Sequence, residues 1–333
     1  MLFADKLKKG DSIAFFSPSK PITVNAPKRF QRAVNFLEQK GFNLVEGKLT
    51  GKSDFYRSGT IAHRVDELNS LIRNPDIKCI MSTIGGMNSN SLLPYIDYEA
   101  LRKNPKIIIG YSDMTAILLG IYAKTGLVTY YGPALVATFG EFSPFQDMAF
   151  DYFCNILVNP VSLPFRFPTP LFWTDEFISW EDQDRCKVKN ENRLITVSEG
   201  VAEGRVIGGN LNTMHGIWGS PYMPEIKEGD ILLIEDTMWD ISTIERSFSL
   251  LKISGVFDKI SGIILGKHEL YKDGGTGRKP YDVLLEVIGE PKYPILADFD
   301  CSHTLPMLTM PIGCNIELDA TNKTVSLISE WIK

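Results

Sequence analysis

Apolar and polar positions follow two different periods in the first third of the chain. Short apolar runs that end in glycine or polar turns predict buried strands at 12–16, 42–45, 77–83 and 106–110. Between these runs, residues 27–40 and 63–72 repeat apolar side chains every three or four positions, as amphipathic helices do. Strands that alternate with helices predict βαβ units and a parallel sheet, in which ligands bind beyond the carboxyl ends of the strands.

The pattern changes between residues 159 and 200, where prolines, aromatics and a run of charges interrupt the periodicity. This segment is interpreted as a linker or an elaborated loop. Beyond it, one helix is predicted at 243–251, and strands are predicted at 203–209, 230–235, 262–266 and 324–328, the last as an edge strand. We therefore expect an α/β protein with an N-terminal parallel-sheet domain (1–165) and a second, α+β domain (166–333).

Composition narrows the class of protein. A chain of 333 residues with a net charge of -5 is long enough for two cores and too acidic for a general nucleic-acid binder. We find neither the apolar segment of a signal peptide nor a run long enough for a membrane span, so no membrane partner is expected. The five cysteines are dispersed, which favours reduced thiols in a cytoplasmic protein over disulfides or a zinc site.

The most informative stretch surrounds Ser112. A buried strand runs into Gly110-Tyr-Ser112-Asp113, and a helix pattern follows at once. This is the context of a nucleophile elbow, which holds a serine oxygen above a sheet beside the N–H groups of a helix start. Met114 replaces the second glycine of the G-x-S-x-G motif, and an ordinary helix N-cap is the competing interpretation.

Two other strand ends carry chemistry. Adjacent glycines at 85 and 86 would let the backbone approach a ligand, so Gly86 is a candidate oxyanion donor, with a plain β-turn as the alternative. Glu235 and Asp236 end an apolar strand, where Glu235 could orient a catalytic histidine. The alternative there is a pair of solvated acids.

The chain has four histidines, and any base must be chosen among them. His303 lies in a polar turn after a strand, His268 is its rival, and His63 and His215 fall in helix patterns. No residues show metal-ligand spacing, and the fingerprints of dinucleotide and phosphate loops are absent. We therefore favour a serine mechanism with no metal and no cofactor.

Four blocks together resemble the LD-carboxypeptidase family of serine peptidases. They are Gly85-Gly86, Gly110–Asp113 with Tyr131–Pro133, Gly208–Leu211 with Ile234–Asp236, and Ser302-His303. The resemblance implies an N-terminal α/β domain, a C-terminal domain with a β-barrel-like core, and an active site between them. It also implies a homodimer.

The resemblance assigns roles position by position. Ser112 corresponds to the nucleophile, Glu235 to the orienting acid and His303 to the base. The backbone N–H groups of Gly86 and Asp113 would form the oxyanion hole. Asn210, in the Gly208–Leu211 block, is expected to bind substrate.

Within the family, segment 255–269 and the aromatic segment 177–180 are most similar to the microcin C immunity carboxypeptidases. Those enzymes cleave the amide between an aminoacyl group and a nucleotide-like moiety. The resemblance therefore implies that Trp180 and Phe177 stack on the base, which offers a flat π-face. Ser302 stands where peptidoglycan-trimming members commonly carry glycine, which favours the same branch.

Three other functions remain open at this point. A cytoplasmic LD-carboxypeptidase that trims muropeptides would use the same triad on another substrate. An α/β-hydrolase esterase shares the order Ser, acid, His, but Met114 and the late second domain do not fit it. A non-enzymatic binding protein could use the same cleft.

Overall fold

The structure is a computed structural model that describes residues 1–333. Its nine α-helices are α1 (Ile22–Asn25), α2 (Pro27–Gln39), α3 (Ile61–Arg73), α4 (Tyr98–Lys103), α5 (Thr115–Thr125), α6 (Phe145–Leu157), α7 (Leu211–His215), α8 (Ile241–Ile253) and α9 (Pro280–Ile288). Short 3-10 helices cover Ser89–Tyr95 and Ser112–Met114, and a π-helical turn covers Leu135–Phe139. None of the helices combines the length and the apolar character needed to cross a membrane.

Sixteen strands complete the chain. They are β1 (Ser12–Phe16), β2 (Asn43–Glu46), β3 (Ile77–Ser82), β4 (Ile107–Gly110), β5 (Thr129–Tyr131), β6 (Phe165–Arg166), β7 (Phe172–Trp173), β8 (Asn190–Glu191), β9 (Ile195–Ser198), β10 (Val201–Asn210), β11 (Ile231–Glu235), β12 (Gly262–Gly266), β13 (Ile295–Phe299), β14 (Met310–Ile312), β15 (Asn315–Asp319) and β16 (Thr324–Leu327).

The first sheet has six strands in the order β14-β5-β4-β3-β1-β2. Its strands from the first half of the chain are all parallel, as the alternation of strands and helices predicts. The sixth strand, β14, comes from the far end of the chain and pairs antiparallel with β5. The two predicted segments, 1–165 and 166–333, are therefore interleaved at this strand.

The second sheet has eight strands in the order β6-β16-β15-β10-β11-β12-β13-β9. Its centre, β10 to β13, is parallel and is connected through α7, α8 and α9, whereas its flanking pairs are antiparallel. The prediction that 324–328 forms an edge strand is wrong. The short strand β6 covers β16, because the chain that leaves the first domain pairs there before the aromatic segment begins.

The two parallel centres present their carboxyl ends to each other. Strands β4, β11 and β12 are buried along their whole length, which is why they read as continuous apolar runs. Polar side chains appear only where such strands end, as Ser112 and Glu235 do. The predicted clusters at Ser112 and at Glu235 therefore lie at the edge where an α/β sheet binds its ligands.

A buried ion pair lies below the turn that carries His303. Lys267 Nζ donates to Asp300 Oδ1 at 2.6 Å and to the carbonyl oxygen of Asp298 at 2.5 Å. Asn192 Nδ2 donates to the other Asp300 oxygen at 2.9 Å, and Lys267 and Asp300 are 5% and 1% exposed. The pair thereby ties the end of β12 to the start of the His303 turn.

We predict that Lys267→Met destabilises the protein by about 3–5 kcal/mol, because it leaves a buried carboxylate without its cation. Urea unfolding followed by circular dichroism measures this change. The control is Lys48→Met, which removes the exposed Lys48–Asp66 pair and is expected to leave the unfolding midpoint nearly unchanged. Equal midpoints for the two variants would contradict the assignment.

Candidate active site

Ser112 occupies a strained turn between β4 and α5. Its φ of +62° lies in the left-handed region, which is unfavourable for a serine and is typical of a strand-to-helix elbow. Gly110 leaves the space that Met114 fills, since a Cβ there would lie 2.8 Å from Met114 Cγ. The departure from the G-x-S-x-G motif is thus accommodated by the packing of this turn.

His303 and Glu235 form a buried acid–base pair. Glu235 Oε2 accepts from His303 Nδ1 at 2.6 Å and from the His303 backbone N–H at 3.2 Å. A carboxylate only accepts, so the proton sits on Nδ1 and Nε2 is left as the acceptor. His303 Nε2 has no hydrogen-bond partner. Tyr111, the residue before Ser112, packs its ring against the imidazole at a centroid distance of 4.9 Å.

The other oxygen of Glu235 is held by two further donors. The Tyr131 hydroxyl donates to Oε1 at 2.6 Å, and Asn210 Nδ2 donates to it at 3.2 Å. Burial by itself raises the pKa of Glu235, but the charge of His303 and these hydrogen bonds outweigh it, so the net pKa is lowered. The fully buried carboxylate is therefore ionised.

The pKa of His303 shifts in the opposite direction. Burial by itself lowers it, but the charges of Glu235, Glu269 and Asp236 outweigh burial and raise the net pKa above its ordinary value. The imidazole is thus poised to accept a proton at Nε2 and to be stabilised once it is charged.

The loop at Gly85 and Gly86 lies directly against the elbow. A Cβ on Gly85 would lie 2.6 Å from Ser112 Cβ and 2.9 Å from the backbone nitrogen of Asp113. Gly86 has a φ of +151°, and a Cβ there would overlap Ser19 Oγ. The predicted oxyanion donors, Gly86 and Asp113, therefore lie on two neighbouring turns that meet at Ser112.

Side chains missed by the sequence analysis hold this loop in place. Asp113 Oδ2 accepts from the N–H groups of Asn88 and Ser89 at 3.0 and 2.9 Å. Arg64 is buried on α3 and donates to Asn88 Oδ1 at 2.7 Å and to the Pro18 carbonyl at 2.6 Å. A buried arginine in a helix pattern gives no sequence signal, because its partners lie on distant loops.

The remaining histidines lack a carboxylate partner. His268 Nδ1 faces the carbonyl of Gly266 at 3.1 Å, and burial lowers the pKa of His268 to about 4. His215 ends α7, where burial lowers its pKa, and His63 is exposed on α3. The structure joins Glu235 to His303, the base that the resemblance implied, and not to its rival His268.

The structure uses Asn210 within the protein. Its amide nitrogen donates to Glu235 and, at 3.1 Å, to Asp236, and its amide oxygen accepts from the Thr213 backbone N–H at 3.0 Å. Asn210 is 4% exposed, so its polar atoms support the acid and cap α7. Binding of substrate by this side chain stays a prediction.

The aromatic segment packs onto the first domain. The guanidinium of Arg29 lies 4.5 Å from the centroid of the Trp180 ring, while Phe177 is largely exposed. Arg29 donates to Gln183 Oε1 at 2.6 Å and to Glu141 Oε2 at 3.1 Å, and both partners are buried. The segment predicted to be a linker or loop is thus anchored by a buried polar network.

Two family models match the chain. The model of the LD-carboxypeptidase N-terminal domain matches residues 13–132, and that of the C-terminal domain matches residues 203–318. The microcin C7 self-immunity protein MccF of Escherichia coli is 56% identical over 333 residues, which cover 99% of this chain and 97% of that protein. The murein tetrapeptide carboxypeptidase of Pseudomonas aeruginosa is 26% identical over 262 residues, 76% of this chain and 75% of that protein.

Solved structures match the fold as well. The apo structure of wild-type MccF has a TM-score of 0.98 at 55% identity and covers 100% of both chains. Complexes of MccF with aspartyl sulfamoyl adenosine and with glutamyl sulfamoyl guanosine have the same TM-score and identity. An MccF-like protein from Bacillus anthracis has a TM-score of 0.88 at 32% identity and covers 99% of this chain and 100% of its own.

We predict that Glu235→Gln lowers the pKa of the His303 imidazole, because the substitution removes the charge that most raises it. NMR titration of the imidazole resonances measures the shift. A His303 pKa that stays constant or rises would contradict the geometry.

Proposed function

This chain belongs to the LD-carboxypeptidase family, and we propose that it is a serine hydrolase that cleaves the amide between an aminoacyl or peptidyl group and a nucleotide-like moiety. Such an activity would detoxify microcin C-like aminoacyl nucleotides and so confer immunity. The proposed substrate class rests on the 56% identity to MccF over nearly the full length of both chains, since two structures of MccF contain aminoacyl sulfamoyl nucleosides. The homodimer and the cytoplasmic location remain predictions.

The proposed reaction begins at the elbow. Ser112 attacks the carbonyl carbon of the scissile amide while His303 Nε2 takes the hydroxyl proton. The charge on the resulting imidazolium is stabilised by Glu235, which already holds Nδ1 at 2.6 Å. Because this carboxylate is ionised and fully buried, its field acts on the imidazole with little screening by water.

The tetrahedral intermediate is assigned to the turn beside Ser112. The N–H groups of Gly86 and Asp113 would donate to its oxyanion, and each such donor is worth about 100–1,000-fold in rate. His303 then protonates the leaving nitrogen, the acyl-enzyme forms, and water activated by the same imidazole releases the acid. No step requires a metal or a cofactor.

The nucleotide part of the substrate is assigned to the aromatic segment. The half-buried Trp180 has the Arg29 guanidinium on its ring, which fixes the plane of the indole. Arg29 also donates to the carbonyl of Val136 at 3.0 Å, and the Val136 backbone N–H donates to the carbonyl of Thr83, which follows β3 at the carboxyl edge of the first sheet. We propose that Trp180 stacks on the base and that the exposed Phe177 assists it.

We predict that Ser112→Ala abolishes hydrolysis of aspartyl sulfamoyl adenosine and leaves the unfolding midpoint near that of the wild type. The reason is that the hydroxyl supplies the nucleophile and has no role in the core. Product formation is followed by chromatography with both aspartyl sulfamoyl adenosine and a muropeptide tetrapeptide. If the wild-type protein hydrolyses the muropeptide but not aspartyl sulfamoyl adenosine, the proposed substrate class is wrong. If Ser112→Ala keeps near-wild-type activity, the serine mechanism is wrong.

We predict that Trp180→Ala raises KM for aspartyl sulfamoyl adenosine about tenfold, since loss of one stacking contact weakens binding of a base by about 1–3 kcal/mol. Steady-state kinetics on this substrate and on a dipeptide that lacks a base measure the difference. Trp180→Phe serves as the conservative variant and is expected to retain most of the affinity. An equal loss on both substrates would exclude stacking as the role of Trp180.

A further inference from the structure

The hydroxyl of Tyr131 has no role in the mechanism described above, although it lies at the centre of the site. Tyr131 is the last residue of β5 and is fully buried. Its hydroxyl donates to Glu235 Oε1 at 2.6 Å and accepts from the backbone N–H of Ser112 at 3.2 Å. The directions of both bonds are fixed, since an ionised carboxylate can only accept and a backbone N–H can only donate.

The Tyr131 hydroxyl thus contacts both the residue that carries the nucleophile and the acid that holds the base. Ser112 lies in the turn that follows β4 of the first sheet, whereas Glu235 ends β11 of the second sheet. The left-handed backbone of Ser112 is unfavourable and persists only where its surroundings hold it, and the Tyr131 hydroxyl is the acceptor for its N–H. The same bond leaves the oxyanion to other N–H groups, because that of Ser112 is occupied.

The chain makes room for this ring at a glycine. Gly209 has a φ of +146°, and a Cβ there would lie 3.1 Å from Tyr131 Cε2 and 2.9 Å from Thr115 Cγ2. The Asn210 backbone N–H, next along β10, donates to Thr115 Oγ1 at 3.0 Å. The absence of a side chain at Gly209 therefore allows β10 to approach Tyr131 and the start of α5.

We propose that Tyr131 is a positioning residue that ties the backbone of Ser112 to the carboxylate of Glu235, so that nucleophile and base keep a fixed relation across the two sheets. This inference rests on the proposed function.

Donation from the Tyr131 hydroxyl also draws negative charge away from the oxygen of Glu235 that faces His303. Tyr131 thereby limits how strongly the imidazolium is stabilised.

Several other ionisable groups surround the acid–base pair and contribute to its titration. The groups that face His303 or Glu235 from neighbouring elements are Asp236, Glu269, His268, Tyr111 and Cys301. Burial raises the pKa of the Tyr111 hydroxyl and of the Cys301 thiol, and it lowers that of His268, so these three groups are neutral at pH 7. Tyr131→Phe leaves all of these groups in place.

The test compares two neighbouring tyrosines on the same strand. Tyr131→Phe removes the hydroxyl that joins Ser112 and Glu235, whereas Tyr130→Phe removes an equally buried hydroxyl that donates to the Trp331 carbonyl at 2.8 Å, away from the site. For Tyr131→Phe we expect kcat to fall about tenfold with KM little changed. We also expect the acid limb of the pH profile of kcat/KM to move by about one pH unit to higher pH. Tyr130→Phe is expected to keep both values.

The direction of the pH shift follows from the hydrogen bond. Without the hydroxyl, more negative charge of Glu235 faces His303, so the imidazolium is more stable and the active, neutral imidazole appears only at higher pH. Replacement of Tyr131 alone by 3-fluorotyrosine keeps a hydroxyl that is more acidic and donates more strongly. The acid limb should then move to lower pH, and this second replacement keeps the test valid if the phenylalanine variant does not fold.

The outcomes are separable from those of the proposed function. NMR titration of His303 reports the same shifts without any substrate, so it decides the role of Tyr131 even if wild-type protein hydrolyses no aminoacyl sulfamoyl nucleoside. Opposite shifts for the two replacements support the inference. Unchanged titration in both, or equal effects of Tyr131→Phe and Tyr130→Phe, would overturn it.

Discussion

The structure depends on one buried charge, the carboxylate of Glu235. An unpaired carboxylate in a protein interior is strongly unfavourable, so its oxygens must be surrounded by donors. Here they accept from both N–H groups of His303, from the Tyr131 hydroxyl and from the Asn210 amide. Tyr131 comes from the first sheet, Asn210 ends β10 of the second sheet, and His303 lies in the turn that follows β13 of the second sheet. The charge is therefore satisfied only when the two sheets meet, and the same contact assembles the site.

The sheets meet by their carboxyl ends, which has a consequence for binding. Each parallel centre ends in turns that carry polar groups, and hydrogen bonds such as that from the Asn210 backbone N–H to Thr115 Oγ1 join the two sides. The aromatic segment lies outside both parallel centres, yet the buried network of Arg29, Glu141 and Gln183 fixes it to the first domain. Under the proposed function, the contact with Arg29 would preorganise Trp180, so less side-chain entropy would be lost when a flat base stacks on it.

Local pattern predicted much of this arrangement. The buried strand before Gly110 and the helix after Met114 could be predicted because an apolar run and a polar turn are local features of the sequence. The edge position assigned to 324–328 failed for a related reason. Alternation reports which face of a strand is buried, but it does not report that Arg166, from a distant segment, pairs with Ser326.

The sequence by itself determined the parallel sheet of the first half, the elbow at Ser112 and the short set of acids and histidines from which a base could be drawn. The pairing of Glu235 with His303 was implied by the family resemblance, but only the tertiary structure showed that contact and the hydroxyl of Tyr131 that joins the pair to the nucleophile. Strand and helix periods are set by neighbours along the chain. A hydrogen bond between β5 and β11 depends on how two sheets pack, which no local period records.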